Sequence, residues 1–349
     1  MAVYRIDPLT DRRWSAFLEA HPDASMFHSR EWLQALSRTY GYQPIVYTTS
    51  APGQALVTGI PFCRIRSHLT GRRLVSLPFS DYCQPLVGRS DEFFELLSAA
   101  KEDSTADRSR YLEIRPLRSA ECSLADAKDL SENESFIVHK LDLRDGIEHV
   151  FRNLHPNSVR RKITRAQREQ LMYEEGTSES LLMKFYRLFL LTRRRHQLPP
   201  QPLVWFQNLI HSFRDSLKIR VVSKDGTPAA SIITIAYKRA MTYKYGCSDA
   251  KFNALGGTVL LFWRAIQEAI ELGASEFDFG RSEYSHTGLI TFKDRWGAKR
   301  YGVSYYSYPP AAGGGSGNHA LMGVVRRLTT ALPDSVFIAL GRFLYPHAG

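Results

Sequence analysis

Phe277-Asp278-Phe279-Gly280-Arg281-Ser282, followed by Gly288-Leu289 and then Thr291-Phe292-Lys293-Asp294-Arg295-Trp296-Gly297-Ala298, is the stretch from which the rest of the chain can be read. Two phenylalanines flank a carboxylate at alternate positions, the spacing of a strand. If the rings face one way, Asp278 faces the other, toward a groove or a partner. Gly280 lets the backbone turn sharply where that strand ends. Arg281 and Ser282 then stand at a strand end, where a ligand can approach.

Upstream, Gly256-Gly257 opens a helix that runs to about Leu272 and closes at Gly273. Before it, residues 217–223 and 229–237 flank Lys224-Asp225-Gly226. This is a hairpin signal, because Asp-Gly supplies the positive backbone angles of a tight turn. Residues 241–246, which include Tyr245, continue the meander. A basic helix around 158–171 and an amphipathic helix over 179–195 come first. The second half therefore reads helix, helix, three antiparallel strands, helix, strand. The first half has a similar grammar: helical faces at Trp14 and Phe17 and at 27–36, strands at 43–49, 55–64 and 73–77, a helix at 92–100 and a short strand at 111–115. No residue-level repeat links the halves.

The chain has 349 residues, of which 44% are hydrophobic and 23% charged, with 19 Phe and 17 Tyr, which excludes a disordered chain and suits two domains. The 46 Lys and Arg against 35 Asp and Glu give a net charge of +11, a sign that favours polyanions or anionic headgroups as partners. Cys63, Cys83, Cys122 and Cys247 form no Cys-x-x-Cys pair, and the histidines show no His-Glu-x-x-His, so neither a disulfide framework nor a metal site is expected. The start lacks the charged lead and apolar block of a secretion signal, and no apolar run approaches the ~18 residues of a spanning helix. A cytoplasmic protein is expected. Residues 310–318, which follow Pro309 and run from Pro310 through Gly-Gly-Gly-Ser-Gly, read as a flexible linker to C-terminal helices at 319–349. Those helices either pack back on the protein or make a peripheral contact with the inner membrane face.

The motif at 277–298 resembles the C-terminal signature of FemAB-like proteins of the GNAT superfamily. His28-Ser29-Arg30-Glu31-Trp32, Leu77-Pro78-Phe79-Ser80-Asp81-Tyr82 and Arg160-Arg161-Lys162-Ile163 extend the resemblance over nearly the whole chain. Within the family it looks most like the exopolysaccharide- and exosortase-associated members, with the peptidoglycan interpeptide bridge enzymes as relatives. The resemblance implies an α/β (α+β) fold of two tandem GNAT-like domains, each a mixed, mostly antiparallel sheet flanked by helices. Domain 1 (1–145) lies on the acceptor side and domain 2 (146–309) carries the catalytic motif, with the C-terminal segment returning to domain 1. It also implies transfer of an acyl or aminoacyl group to an amine or hydroxyl of an envelope, polysaccharide or peptide precursor, with no tightly bound cofactor. The donor is aminoacyl-tRNA or acyl-CoA. The bridge enzymes' coiled-coil arm has no heptad counterpart here.

In that family the lysine of the Phe-Lys motif steadies the tetrahedral oxyanion, and it matches Lys293. A solvated charge at a strand edge is the alternative. Asp278 is a base if burial raises its pKa, or else half of a salt bridge. Arg281 and Ser282 suit a donor phosphate, or else brace the backbone. Asn253, Gly256 and Gly257 precede a helix N-terminus, an anion site or simply a close-packing device; Tyr245 joins this donor set. Asn253 and Thr258 depart from the acetyl-CoA pattern, which weighs mildly against coenzyme A. Arg160, Arg161, Lys162, Arg165 and Arg168 form a basic stripe fit for a tRNA acceptor stem or a diphosphate, or a solvated face. Ser80, Asp81, Tyr82 and Trp296 are the expected acceptor contacts, with a plain Pro-initiated turn as the alternative at Ser80 to Tyr82. A non-catalytic RNA- or polyanion-binding module is the rival from another class.

Overall fold

The computed structural model describes residues 2–117, 129–310 and 332–349. They form two compact units: residues 2–117 and 129–136 with 302–310 and 342–349, and residues 137–301 with 332–341. The expected break at 145/146 moves to 136/137. One strand runs through that point, and Leu141, Leu143 and Val150 beyond it are buried in the second unit's core. The expected linker at 310–318 falls, after Pro310, outside the described residues.

The first unit contains β1 (Tyr4–Ile6), α1 (Arg12–Ala20), α2 (Arg30–Tyr40), β2 (Gln43–Thr48), β3 (Ile60–Ser67), β4 (Gly71–Val75), α3 (Ser90–Ala106), β5 (Tyr111–Ile114) and the start of β6 (Ser131–Asp142). Strands β1 to β4 pair antiparallel in sequence order and β5 joins β4 in parallel. Alternation along β2 divides the core. Ile45 and Tyr47 pack with Phe62, Leu74 and Leu112 under Phe93, Leu96 and Leu97 of α3, while Val46 meets Trp14 and Phe17 of α1 on the other face. Each such side chain contributes roughly 1.5–3 kcal/mol relative to exposure. The Ser29 hydroxyl caps α2 by accepting the Trp32 N–H at 3.2 Å, and Gly41 ends that helix at φ +71°.

The second unit holds α4 (Gly146–Asn153), α5 (Arg161–Arg168), β7 (Met172–Gly176), α6 (Glu179–Arg195), α7 (Leu203–Phe213), β8 (Leu217–Lys224), β9 (Thr227–Tyr237), β10 (Ala240–Ser248), α8 (Gly257–Glu271), β11 (Glu276–Glu283), α9 (Thr287–Asp294) and the start of β12 (Lys299–Tyr308). The helix α10 (Asp334–Leu344) follows. Strands β7 to β10 are antiparallel neighbours, and β11 lies parallel to β10. The β8–β9 turn takes the conformation its Asp-Gly demands, with φ +49° at Asp225 and +76° at Gly226. Both units thus run three antiparallel strands, a helix, and a strand parallel to the last: β2-β3-β4-α3-β5 and β8-β9-β10-α8-β11. This is the tandem GNAT-like architecture, repeated in topology without a repeat in residues.

Cys63, Cys83 and Cys247 are free and buried. Among the described residues, no helix is long and apolar enough to cross a membrane, and no group of His, Cys, Asp or Glu is arranged to hold a metal ion.

Candidate active site

The second unit's sheet opens between β10 and β11. The two strands pair only over Ala240–Thr242 with Glu276–Asp278. Beyond that, β10 stays with β9 through a bulge at Tyr243/Tyr245 as far as Ser248, while β11 runs on to Glu283. At the opening Gly280 takes φ +69°, and the Asp278 carboxylate, 1% exposed, accepts its N–H at 2.7 Å. A side chain that bonds its own backbone two residues on fixes a local kink. The strand runs on to Glu283 instead of ending at Gly280 as expected, so Arg281 and Ser282 lie within it.

Lys293 completes this kink from α9. Its Nζ donates to the carbonyls of Gly280 at 2.7 Å and Arg281 at 3.1 Å, and the residue is 2% exposed. A buried ammonium is tolerated only when hydrogen-bonded, and two strand carbonyls meet that need here. The reading of Lys293 as a solvated charge is excluded by this burial. Behind it, Phe277, Phe279, Phe262, Phe292 and Trp296 form one aromatic wall, with ring centroids 4.9 to 6.2 Å apart. The cation is therefore held in place before any substrate arrives, which is the condition for electrostatic stabilisation of an oxyanion.

Three residues beside Lys293 have no role assigned from the sequence: His139 and Arg300 lie outside the motif, and Asp294 lies within it. His139, on β6, is wholly buried, and its Nε2 lies 3.2 Å from Asp294 Oδ1. Asp294 is gripped by Arg300 through two bonds of 2.8 and 2.5 Å. Burial first, and then the Lys293 ammonium, push the imidazole down to about 4. The hydrogen bond from Arg300 holds the Asp294 carboxyl below its ordinary value. His139 is therefore neutral at pH 7, and its Nδ1 and the Ser282 hydroxyl are buried with no protein partner among the described residues. A lone histidine in an apolar strand gives no spacing to notice, so only the neighbouring strand β11 reveals it.

The other expected contacts fall into two groups. Arg281 is exposed and Ser282 buried beside Lys293, where they join Asp278 in one cluster. Gly256 and Gly257 pack instead: a Cβ on Gly256 would lie 3.2 Å from the Lys162 carbonyl, and one on Gly257 would lie 2.8 Å from Val222. Asn253 is exposed in the turn before them. Arg161, Arg165 and Arg168 line an open groove of about 530 Å³ on α5, with Arg165 3.3 Å from Glu169. Lys162 lies on the same helix and Arg160 just before it. The Tyr245 oxygen accepts from Trp205 at 2.8 Å and Gln201 at 3.2 Å, which ties the ring to α7 and the segment before it. Trp296 is 0% exposed within the aromatic wall, so the expectation that it meets the acceptor is corrected.

In the first unit, Ser80, Asp81 and Tyr82 are 1%, 7% and 6% exposed rather than free on a loop. Leu77 and Phe79 sit at φ +49° and +62°, each costing about 1–3 kcal/mol unless the surroundings impose it. Those surroundings are visible. The Ser80 hydroxyl donates to the Leu77 carbonyl at 2.6 Å, Arg115 to the same carbonyl at 3.2 Å, and the Tyr305 hydroxyl to the Ser80 and Asp81 carbonyls at 3.3 and 3.1 Å. Tyr82 packs edge-on against Phe27 at 5.6 Å. Ser80 and Tyr82 thus hold a strained turn and do not present themselves to an acceptor.

Residues 155–294 match the family described as the acetyltransferase (GNAT) domain. Over 145 residues the chain is 26% identical to the UDP-N-acetylmuramoylpentapeptide-lysine N(6)-alanyltransferase of Weissella viridescens. The crystal structure of FemX superposes with a TM-score of 0.70 over 93% of this chain and all of that one, at 14% identity. The chain thus resembles the GNAT domain over residues 155–294 and shares the fold of FemX. The sequence match spans 40% of this chain and 43% of the alanyltransferase, so the chain covers less than half of that relative's length. A tandem GNAT protein from the clavulanic acid biosynthesis pathway shares the fold, with a TM-score of 0.54 over 88% of this chain and 97% of that one, at 10% identity.

Proposed function

We propose that the chain transfers an activated acyl or aminoacyl group directly to an amine or hydroxyl of an envelope, polysaccharide or peptide precursor, with aminoacyl-tRNA as the favoured donor. The observation that carries this reading is the Lys293 ammonium, buried and fixed on the Gly280 and Arg281 carbonyls where β11 leaves β10. It lies inside the segment that matches the GNAT family. The acceptor nitrogen or oxygen attacks the donor's ester carbonyl, the C–O bond to the donor breaks, and the proton lost by the nucleophile ends on the departing oxygen. Between those events the carbonyl oxygen carries a negative charge, and a preorganised cation beside it lowers the barrier by roughly 3 kcal/mol. Asp278 keeps the kink in β11, and the α5 arginines offer the donor's phosphates a basic face.

The glycine pair at α8 is accounted for by its packing on α5 and β8, so it lends coenzyme A no separate support. The name of the Weissella relative, an alanyltransferase, favours an aminoacyl group. Purified protein given labelled aminoacyl-tRNA and labelled acyl-CoA in parallel, with cell extract as acceptor, tests the reading: transfer from the former, abolished by RNase, is expected. Lys293→Met is expected to cut turnover by about 10²–10³-fold with donor binding retained. Lys293→Arg separates chemistry from folding, since it keeps a cation for the two carbonyls. Unchanged turnover in a folded Lys293→Met protein overturns the assignment. Salt-sensitive RNA binding with no transfer to any acceptor would favour a binding module.

A further inference from the structure

Arg73 lies in the middle of β4, between β3 and β5, and is 2% exposed. Its Nη1 donates to the Tyr111 hydroxyl at 3.3 Å, its Nη2 to the His347 carbonyl at 3.0 Å, and its Nε has no partner. Strand alternation puts Glu113 and Arg115 on the same face as Arg73, and those two pair with each other at 2.7 Å. That face of the first unit therefore carries the buried Arg73 guanidinium and, beside it, the part-buried Arg115–Glu113 pair. Among the described residues no carboxylate forms an ion pair with Arg73, although a buried charge without a close counter-charge is costly.

The group that reaches Arg73 is a stretch of neutral backbone. Tyr345, Pro346 and His347 lie over it: the Tyr42 hydroxyl is 3.1 Å from both the Tyr345 and Pro346 carbonyls, Thr70 donates to the His347 carbonyl at 3.1 Å, and Ser67 meets His347 Nδ1 at 2.9 Å. Tyr345 also leans on Phe79, in the strained turn, with centroids 5.7 Å apart, and Phe79 stacks on Tyr42 at 6.4 Å. A carbonyl oxygen is a weak substitute for an oxyanion at a guanidinium, whose fork suits carboxylate or phosphate.

We infer that the face around Arg73 is an oxyanion-binding site, for a phosphate or carboxylate group, and that residues 345–347 are its internal occupant, displaced when the anion binds. The charge-assisted bonds that an anion makes to Arg73 replace the carbonyl bond. Release of Tyr345 from Phe79 couples the site to the turn at Leu77 to Tyr82. The site is independent of Lys293 and of any transfer reaction.

Hydrogen exchange of the 342–349 segment in the full-length protein tests this, with inorganic phosphate, sodium acetate and sodium chloride compared at equal ionic strength. Phosphate or acetate, but not chloride, is expected to speed exchange of the segment about tenfold, the effect of losing one or two hydrogen bonds. Response to phosphate alone marks a tetrahedral anion, and response to both marks the oxyanion class in general. Tyr42→Phe loosens the segment without touching Arg73, so it is expected to lower the phosphate concentration needed. Arg73→Gln is expected to abolish the response while its segment already exchanges fast. If phosphate and acetate match chloride in both the unmodified protein and Tyr42→Phe, or if Arg73→Gln responds like the unmodified protein, the inference is overturned.

Discussion

At the scale of single residues, two buried histidines make stability depend on pH in a direction that can be worked out. His28 and His139 are both 0% exposed, and burial pushes each down to about 4. Between pH 6.5 and about 4 the unfolded chain binds a proton at each histidine that the folded chain does not, so stability is fully present above pH 6.5 and falls as pH drops. Each contributes a slope of about 1.4 kcal/mol per pH unit in that window. Urea titrations from pH 7 to 4.5 are expected to show this decline, and His28→Asn to remove roughly half of it; a flat profile would show the histidines to be protonated in the folded state. Lys293 was legible from its match to the family's Phe-Lys motif, and its burial on two strand carbonyls is what the structure adds. His139 was not, and Trp296 was misread, because an aromatic side chain beside a motif is assigned to ligand or core only by what packs on it. Here Phe262, from α8, decides for the core.

At the scale of elements, the signals that survive in sequence are those written in backbone chemistry. The Asp225-Gly226 turn, the glycines around α8 and the Phe-Asp-Phe alternation of β11 all placed their elements within a few residues. The helices α7 and α9 were not foreseen. In α7, apolar residues on successive positions blur the helical period, and α9 is only eight residues long, tied down by a lysine bond that no periodicity encodes. The N-terminus of α8 is where local chemistry and packing meet. Gly256 sits at φ +78°, where a Cβ would press to 3.2 Å from the Lys162 carbonyl of α5. Gly256→Ala is expected to cost about 1–3 kcal/mol in urea unfolding, from backbone strain plus the displaced contact. A stability change within about 0.5 kcal/mol, the usual range for surface substitutions, would mean that α5 moves aside at no cost, and α5 would then be a poor platform for a polyanion.

At the scale of the whole molecule, the duplicated topology separates what the fold supplies from what the second unit adds. In the first unit, β4 and β5 pair over Arg73–Val75 with Tyr111–Glu113, just as β10 and β11 do over three residues, yet the opening there holds a strained, self-bonded turn instead of a lysine on a following helix. The repeat was legible as a succession of elements and invisible as residues, because sheet and helix periodicities persist where side-chain identities do not. The net charge of +11 belongs to this scale too, since it sets the field a donor meets on approach. If tRNA phosphates lie along Arg161, Arg165 and Arg168, each contact releases counterions. The logarithm of donor affinity should then fall by about 2–3 for each tenfold rise in salt. Replacing all three arginines by glutamine should flatten that slope toward zero and weaken donor binding, with kcat at saturating donor unchanged, because Lys293 and its carbonyl partners are untouched. Steady-state kinetics at several sodium chloride concentrations check this. A salt slope that the triple variant leaves intact would move the donor away from α5 and back toward the opening between β10 and β11, where a small acyl carrier can sit without a basic helix.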